Sequence, residues 1–363
     1  MSTDILARFG VNPDDLPVDV KPETVYLDVV KGRVAHIDAD FMAYQAAADR
    51  RDELDGTKPR KTVSEKCERA SRGLTHLMKC CGAESYIAHI TPSGSDKGGR
   101  SVLAVTLPYQ GNRADRERPE HLDQVRSYIS TLPSQIHLDQ EADDGMAQAN
   151  YEAVASGTQH LSVIVSKDKD LRMVPGLHWD FDTEKLVNVV DPFGHLWLQP
   201  TKGGSNTLKG WGTIYFWAQC LMGDTADNIR GLPEITKGAL ADRNKVDTQL
   251  QKLYTQHDKA MTLAREEELL DMIIVSRSRT RKVGPMLAYD LLMDCRSDKE
   301  CFELVRALFK DLDENSDYEF IDHKSQETCT GTQALFGDML LLWMRRKKDP
   351  MDVLHWLKEI KVL

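Results

Sequence analysis

The sequence predicts an α/β fold with a largely parallel sheet, followed by a mainly helical region. Three observations lead to this prediction. Short apolar runs at 34–37, 86–90 and 162–165 have the length and the flanking turn residues of buried strands. Stretches of helical spacing lie between them, as in chains whose strands pair in parallel. From about residue 213 onward the apolar pattern is mainly helical.

The elements follow in order from the N-terminus. Residues 1–30 carry three prolines and scattered acids and are predicted to form an irregular arm. The α/β domain is predicted to span 31–212, because Gly and Ser concentrate at about 200–212, and the helical region to span 213–363. Within the α/β domain the spacing predicts helices at 63–81, 121–131 and 140–156 and a further strand at 185–190.

Composition excludes little, but the charge raises a question about partners. The 363 residues are 41% apolar and 29% charged, and no apolar run approaches the roughly 20 residues that span a bilayer. The N-terminus lacks the pattern of a secretory signal, and the seven irregularly spaced cysteines suggest reduced thiols in a cytoplasmic protein. The net charge of −10 argues against nucleic acid as a partner, unless the acids cluster around cations.

Acidic residues gather in four places along the chain. Asp38 and Asp40 follow the first predicted strand, and Asp168 and Asp170 follow the third. The other acids lie at the start of the helix predicted at 140–156 and in a later segment: Glu141, Asp143, Asp144, Asp224 and Asp227. Ligands of an open α/β sheet collect at the carboxyl ends of the strands, so we expect these acids to meet at one edge.

Carboxylates that meet would repel one another unless hard cations such as Mg²⁺ or Mn²⁺ lay between them. Two such ions about 4 Å apart can activate a water and stabilise the leaving oxygen of a phosphodiester. Each acidic cluster taken alone has a plainer explanation, since acids after strands commonly cap helices or form turns. The four clusters together favour a site with two metal ions.

A more specific signal is the order of four segments along the chain. These are Tyr109–Arg113 (YQGNR), EADD at 141–144, SKDKDL at 166–171 and GDTADNIRG at 223–231. Over about residues 33–310 this order resembles that of the 5′-nuclease family, which comprises flap endonucleases and 5′→3′ exonucleases. The resemblance implies a metal-dependent enzyme that hydrolyses DNA phosphodiesters and leaves a 5′-phosphate, and the compact length favours a phage-type member.

The resemblance also implies roles for single residues. Asp38, Gln110 and Arg113 would take part in catalysis. Asp38, Glu141 and Asp143 would hold the first ion. Asp168, Asp170 and Asp227 would hold the second, with Asp144 and Asp224 as further ligands or as groups that order water.

Two positions depart from the family pattern. No acid follows the second strand, where Thr91 and Pro92 stand, although Asp96 comes a few residues later. Gln110 stands where the family has a lysine that contacts the reacting phosphate. Glutamine donates a hydrogen bond but brings no charge, so the resemblance leaves open whether catalysis is weakened. The arginines at 100, 113, 116 and 118 are candidates to compensate.

The same resemblance implies how DNA would be held. Arg116 and Arg118 would grip a 5′ single strand, the alternative being a solvated loop. Gly231 begins a helix–turn–helix duplex-binding element with a glycine hairpin, which in the family often binds K⁺. Here the hairpin would continue only at Gly284, after an insertion at about 234–280. The preceding cations Arg279, Arg281 and Lys282 would contact phosphates, unless they form a plain surface turn.

Two classes of function remain open. The first is a 5′-nuclease of DNA replication, recombination or repair, located in the cytoplasm of a cell or of a phage's host. The second is a catalytically weakened, structure-specific DNA-binding protein on the same fold. A third reading, an unrelated metal phosphatase, predicts no preference for duplex DNA. The partner would be a duplex with a 5′ single strand or a recessed end. Exonuclease or flap preference, tolerance of RNA and oligomeric state are not predicted.

Overall fold

A computed structural model of the chain describes residues 26–49, 60–113, 117–201, 203–243 and 247–363. The first part of the chain forms a six-stranded sheet with the order β3-β2-β1-β4-β5-β6. Its strands are β1 Val30–Asp38, β2 Ala83–Ile90, β3 Ser134–Ile136, β4 Ser162–Val165, β5 Gly176–Asp180 and β6 Lys185–Val189. All neighbouring strands pair in parallel except β5 and β6. The predicted fold class is confirmed.

Helices cover both faces of this sheet. They are α1 Ala39–Ala47, α2 Val63–Cys80, α3 Arg100–Leu103, α4 Leu122–Ile129 and α5 Ala142–Ala155. Val163 and Val165 of β4 pack into one apolar core with α1, α2 and α4, whereas Ile164 packs with α5 on the other face. β4 is therefore buried on both sides, which explains its uninterrupted apolar sequence.

The predicted boundary at 200–212 contains a strand. β7 His195–Pro200 and β8 Asn206–Trp211 form an antiparallel hairpin, which leads into the buried helix α6 Thr213–Met222. The helices that follow are α7 Lys237–Asp242, α8 Thr248–His257, α9 Leu263–Ser278, α10 Pro285–Leu292, α11 Asp298–Asn315, α12 Gly331–Leu342 and α13 Asp352–Glu359. A small hairpin, β11 Phe320–Ile321 with β12 Thr328–Cys329, lies between α11 and α12. Apolar residues of α5, α6, α7 and α10–α13 share one core.

One further strand pair encloses a set of helices. β9 Glu234–Thr236 pairs antiparallel with β10 Thr280–Lys282. The three helices α7, α8 and α9 lie between the two strands in sequence. The chain that leaves the pair at Lys282 reaches Gly284, which is the N-cap of α10. The strand pair thus brings segment 280–285 next to segment 231–236. The residues between them are the region predicted as an insertion.

Within the described ranges, no helix combines the length and the apolar character needed to cross a membrane.

Candidate metal centre

The carboxyl edge of the sheet begins the site at Asp38. This buried residue ends β1 and caps α1, accepting hydrogen bonds from the Phe41 amide and the Ser166 hydroxyl, both at 2.9 Å. Burial, and next the charge of Asp40, raise the pKa of Asp38 to about 6. Asp40 itself turns away from this cluster: its carboxylate pairs with Arg126 at 2.6 Å and accepts from the Thr91 amide at 3.0 Å.

The start of α5 contributes two acids to the same place. Asp143 Oδ1 is buried and has no hydrogen-bond partner among the described residues. Burial, followed by the charges of Asp168 and Asp38, raises the pKa of Asp143 well above its ordinary value. Glu141 is the N-cap of α5. Its carboxylate pairs with Arg100 Nη1 and accepts a hydrogen bond from the Tyr109 hydroxyl, both at 2.9 Å.

The segment after β4 supplies the next pair. Burial and then the charge of Asp227 raise the pKa of Asp168 to about 7. Burial and then the charge of Asp168 raise the pKa of Asp170 well above its ordinary value, although Gln219 donates a hydrogen bond to Asp170. Asp38, Asp143, Asp168 and Asp170 have no ion pair with Lys or Arg within the described part of the chain.

A tight loop at Gly223–Gly231 brings the last pair to the cluster. Both glycines have positive φ, and a Cβ on Gly231 would lie 2.2 Å from the Gly223 nitrogen. The loop therefore closes on itself only if glycine occupies this position. The backbones of Asp224 and Ile229 exchange two hydrogen bonds of 2.8 Å within it. Asp224 pairs with Lys169 at 3.0 Å, and Asp227 pairs with Arg113.

These residues form a set of hard oxygen donors. One carboxylate oxygen from each of Asp170, Asp224 and Asp227 lies within 4.8 Å of the others. Asp143, with its unpartnered oxygen, and Asp38 adjoin them through Asp168. The carboxylates in this cluster outnumber the cations that pair with them. Clustered carboxylate oxygens are the donor set of Mg²⁺ or Mn²⁺, so the residues fit the divalent ions that the sequence predicts.

Asp144 has surroundings different from those of the other acids. Both of its oxygens accept from Arg100, at 2.7 and 2.9 Å, and one also accepts from the Arg345 amide at 3.1 Å. Burial would raise its pKa, but the Arg100 guanidinium outweighs burial and lowers the pKa of Asp144. Both oxygens of Asp144 are thus occupied by Arg100, which also contacts Glu141.

Asp96, considered as a substitute for the acid missing after β2, caps a short 3₁₀ turn at 97–99 by accepting from the Gly98 amide. The position directly after β2 is filled by Thr91, whose hydroxyl accepts from the Ala142 amide at 2.9 Å. Thr91 thereby fixes the start of α5 without adding a charge.

Cations and an amide lie at the mouth of the cluster. Gln110 has a positive φ, and its side-chain nitrogen donates to Asp227 at 3.0 Å. Arg113, about half exposed, donates to the same carboxylate. The Lys97 ammonium contacts the Gln110 side-chain oxygen and lies 4.0 Å from Glu141. Lys97 was not among the residues predicted for the site, because nothing in a polar loop thirteen positions before Gln110 signals that proximity.

The cations predicted to bind DNA lie on the surface, whereas Gly231 is buried and its amide donates to Asp338 at 3.0 Å. Arg118, Arg279, Arg281 and Lys282 are exposed and form no ion pair with other described residues. Arg116 lies outside the described residues. A Cβ on Gly284 would meet nothing within 4 Å. The interior of the protein therefore gives no reason for a glycine there, in contrast to Gly231.

No protein-family model matches the chain, and no curated protein matches it. Solved structures of similar fold include the flap endonuclease of bacteriophage T5 in a complex with DNA and metal ions. It is 16% identical, with 76% of this chain and 97% of that one covered and a TM-score of 0.36. They also include the T5 protein crystallised with metal ions, at 17% identity, 76% and 98% coverage and a TM-score of 0.36. The catalytic core of Rad2 with a DNA substrate is 13% identical, with 77% and 87% covered and a TM-score of 0.27.

Proposed function

We propose that this chain is a divalent-metal-dependent 5′-nuclease that hydrolyses DNA phosphodiesters. The observation that carries the proposal is the cluster of buried carboxylates at the carboxyl edge of the sheet. Within the described residues, four of its acids have no cationic partner, and one oxygen of Asp143 has no hydrogen-bond partner. A protein that only needed a stable fold would gain from replacing such groups, because each buried ionised acid costs free energy.

Bound Mg²⁺ or Mn²⁺ ions would supply positive charge at the phosphate and lower the pKa of a bound water. Asp170, Asp224 and Asp227 would hold one ion, with Asp168 beside them. Asp38, Asp143 and Glu141 would hold the other. Asp144 keeps Arg100 in place, and Arg100 in turn orients Glu141.

The chain's own cations would bind the reacting phosphate. Arg113 and Lys97 stand at the mouth of the cluster, where they offset the charge that develops on the phosphate oxygens during cleavage. Gln110 lies between them and donates a hydrogen bond. Lys97 would therefore supply, beside Gln110, the positive charge that glutamine lacks.

The duplex would be held away from this cluster. Arg279, Arg281 and Lys282 are free to pair with phosphates, and Gly284 leaves the first turn of α10 open to a close approach of the DNA backbone. Arg118, together with Arg116, would contact the 5′ single strand. Net negative charge is then no obstacle, because the cations that face DNA are segregated from the acids.

The alternative is a protein that binds branched DNA without cutting it. The observation that favours it is the pair of uncharged positions, Thr91 after β2 and Gln110 at the mouth of the cluster. Both would lower the turnover of a nuclease. They would leave the DNA-binding surfaces intact.

A cleavage assay on a 5′-flap and on a recessed duplex separates the two functions. Purified protein should cut with Mg²⁺ or Mn²⁺, leave a 5′-phosphate, and stop in excess chelator. Asp170→Asn should bind the same DNA without cutting it, and calorimetric titration should show weaker Mn²⁺ binding by this variant. Binding without cleavage by the unaltered protein in both metals would establish the alternative. Full activity in chelator would exclude both the metal site and the nuclease proposed here.

A further inference from the structure

Beside the carboxylate cluster, at the carboxyl ends of β4 and β5, lies an open cavity of about 190 Å³. Asp168 and Lys169 belong to its wall, so the cavity opens next to the proposed metal ions. The lining also includes three large aromatic rings, Trp179, Phe181 and Trp211, and three more cations, Lys167, Arg172 and Lys209. Two further acids, Asp180 and Asp182, belong to the same wall. None of these residues has a part in the proposed mechanism.

The aromatic residues offer flat apolar surfaces with cations nearby. Trp179 and Phe181 are half-buried, whereas Trp211 is buried and covered by the Arg172 guanidinium, 5.0 Å from its ring centre. The Lys167 ammonium lies 5.2 Å from the ring centres of both Phe41 and Phe181. Rings with neighbouring cations are the combination on which nucleic-acid bases stack while their phosphates are neutralised.

The charges around the cavity leave one cation without an acid. Arg172 lies 3.7 Å from Asp180 and 3.4 Å from Asp182, and Lys209 lies 3.2 Å from Asp182. Lys167 has an exposed side chain and no carboxylate partner in the described part of the chain. An anionic group that entered beside Asp182 would therefore meet Lys167 and Lys209.

The size of the cavity limits what it can take. Pockets that enclose a drug-sized ligand measure roughly 300–1,000 Å³. A cavity of about 190 Å³ is smaller, so it has room for one ring system and leaves the remainder of the ligand outside. A single nucleobase with its sugar and phosphate at the rim matches both the size and the charge.

We infer that this cavity is a nucleotide subsite, in which one unstacked base lies against Trp179 and Phe181 and the adjoining phosphate contacts Lys167 and Lys209. The inference rests on the proposed nuclease function, because Asp168 in the wall places that nucleotide next to the bond to be cut. Unstacking a base is easiest at an end or in a single strand, so the subsite would favour such DNA. The base could belong to the bound strand or to a released mononucleotide.

The test uses the full chain with Ca²⁺ in place of Mg²⁺ and DNA verified to stay intact. A single abasic residue is moved, one position at a time, past the end of a recessed duplex with a 5′ single strand. At one position its presence should weaken binding on the order of tenfold, the value of one base–aromatic contact. Phe181→Leu should weaken binding of the normal DNA and remove that positional effect.

A second variant keeps the test valid if Phe181→Leu folds poorly. Lys167 is exposed, so Lys167→Ala should fold normally, weaken binding severalfold and flatten the log–log salt dependence by about one phosphate contact. Lys185→Ala, on the neighbouring strand and outside the cavity, serves as the matched control and should change neither the affinity nor its salt dependence.

A competition experiment with deoxyadenosine 5′-monophosphate separates the two sources of the base. If the nucleotide competes with DNA, and this competition is lost in Phe181→Leu, the subsite also binds released product. A positional effect without such competition would assign it to the strand alone.

Equal binding at every abasic position, or the same positional loss in Phe181→Leu as in the unaltered protein, would overturn the subsite. Cleavage of the normal DNA with Mg²⁺ in that case would leave the nuclease proposal standing. A positional effect in a protein that never cleaves would support the base-binding cavity and contradict the nuclease proposal.

Discussion

The carboxylate cluster at the sheet edge and the basic strand pair β9–β10 carry opposite charges, and they differ also in how they are built. The acids are buried and fixed by short backbone contacts, such as those that hold Asp38 and the loop of Asp224. Arg279, Arg281 and Lys282 are exposed and have no acidic partner among the described residues. A buried set fixes positions for ions, whereas an exposed set adapts to a long phosphate backbone. A net charge of −10 conceals this separation.

The largest contrast that we expect lies within the acids themselves, between neighbours on α5. Asp143→Asn removes an acid whose ionised form is disfavoured by burial and by neighbouring acids, so it should stabilise the metal-free fold while abolishing cleavage. The loss should exceed the roughly 10–100-fold that follows from removing a partner of a metal ligand. Single-turnover cleavage measures the loss of activity, and thermal unfolding in chelator measures the gain in stability.

Asp144→Asn is the matched change one residue along. It would leave Arg100, fully buried, without its bidentate partner, so the fold should lose about 3–5 kcal/mol. Equal effects of the two substitutions on unfolding would contradict the different roles assigned to these neighbours.

The second contrast concerns Lys97 and Gln110. Lys97→Ala should slow single-turnover cleavage by about a hundredfold, the usual cost of losing one donor at a charged transition state. Gln110→Lys should add little to the unaltered protein, because its ammonium would meet that of Lys97. In the Lys97→Ala background the same change should restore most of the rate. A Lys97→Ala variant that cleaves at full rate would leave Arg113 as the sole cation acting on the phosphate.

The meeting of acids at one edge of the sheet could be expected from the sequence where the acids end or follow parallel strands. Asp38 and Asp168 come directly after buried parallel strands, and such strands end at one edge. The same reasoning could not separate Asp143 from Asp144. Both lie in the first turn of α5, and only the position of Arg100 shows that one of them is already paired.

Other parts of the site depend on contacts between distant segments. Lys97 reaches Gln110 because a short 3₁₀ turn folds the intervening loop back. The aromatic cavity needs β5, a short strand whose mixed sequence, GLHWD, carries no clear period. Arg345, from near the end of the chain, donates to Asp144 across 201 positions. Spacing along a sequence does not encode such approaches.

The third contrast tests the exposed cations against the buried acids. Changing Arg279 and Arg281 together to Ala should weaken duplex binding and flatten its log–log salt dependence by up to about two units, at about 0.9 per phosphate neutralised. Affinity for single strands should stay nearly unchanged, and cleavage at saturating DNA should persist. Parallel salt slopes for the variant and the unaltered protein would leave these arginines without a role in holding DNA.

The last contrast concerns stability as a function of pH, and it tests Asp168. Burial and then Asp227 raise the pKa of Asp168 to about 7, from about 4 in the unfolded chain. Between these values the folded state binds more protons than the unfolded state, so this group's contribution to stability falls as pH rises from about 4 to about 7. Asp168→Asn lacks the group. In chelator the variant should therefore gain stability relative to the unaltered protein over this range, by up to about 1.4 kcal/mol for each pKa unit of the shift. Below pH 4 the difference in stability between the two proteins should be constant.

Mn²⁺ should make the unaltered protein the more stable of the two, because the ion binds the ionised carboxylate and stabilises only the protein that keeps it. Urea unfolding at several pH values, with and without Mn²⁺, measures both effects. A stability difference that does not change with pH, together with equal stabilisation by Mn²⁺, would place Asp168 outside the metal centre.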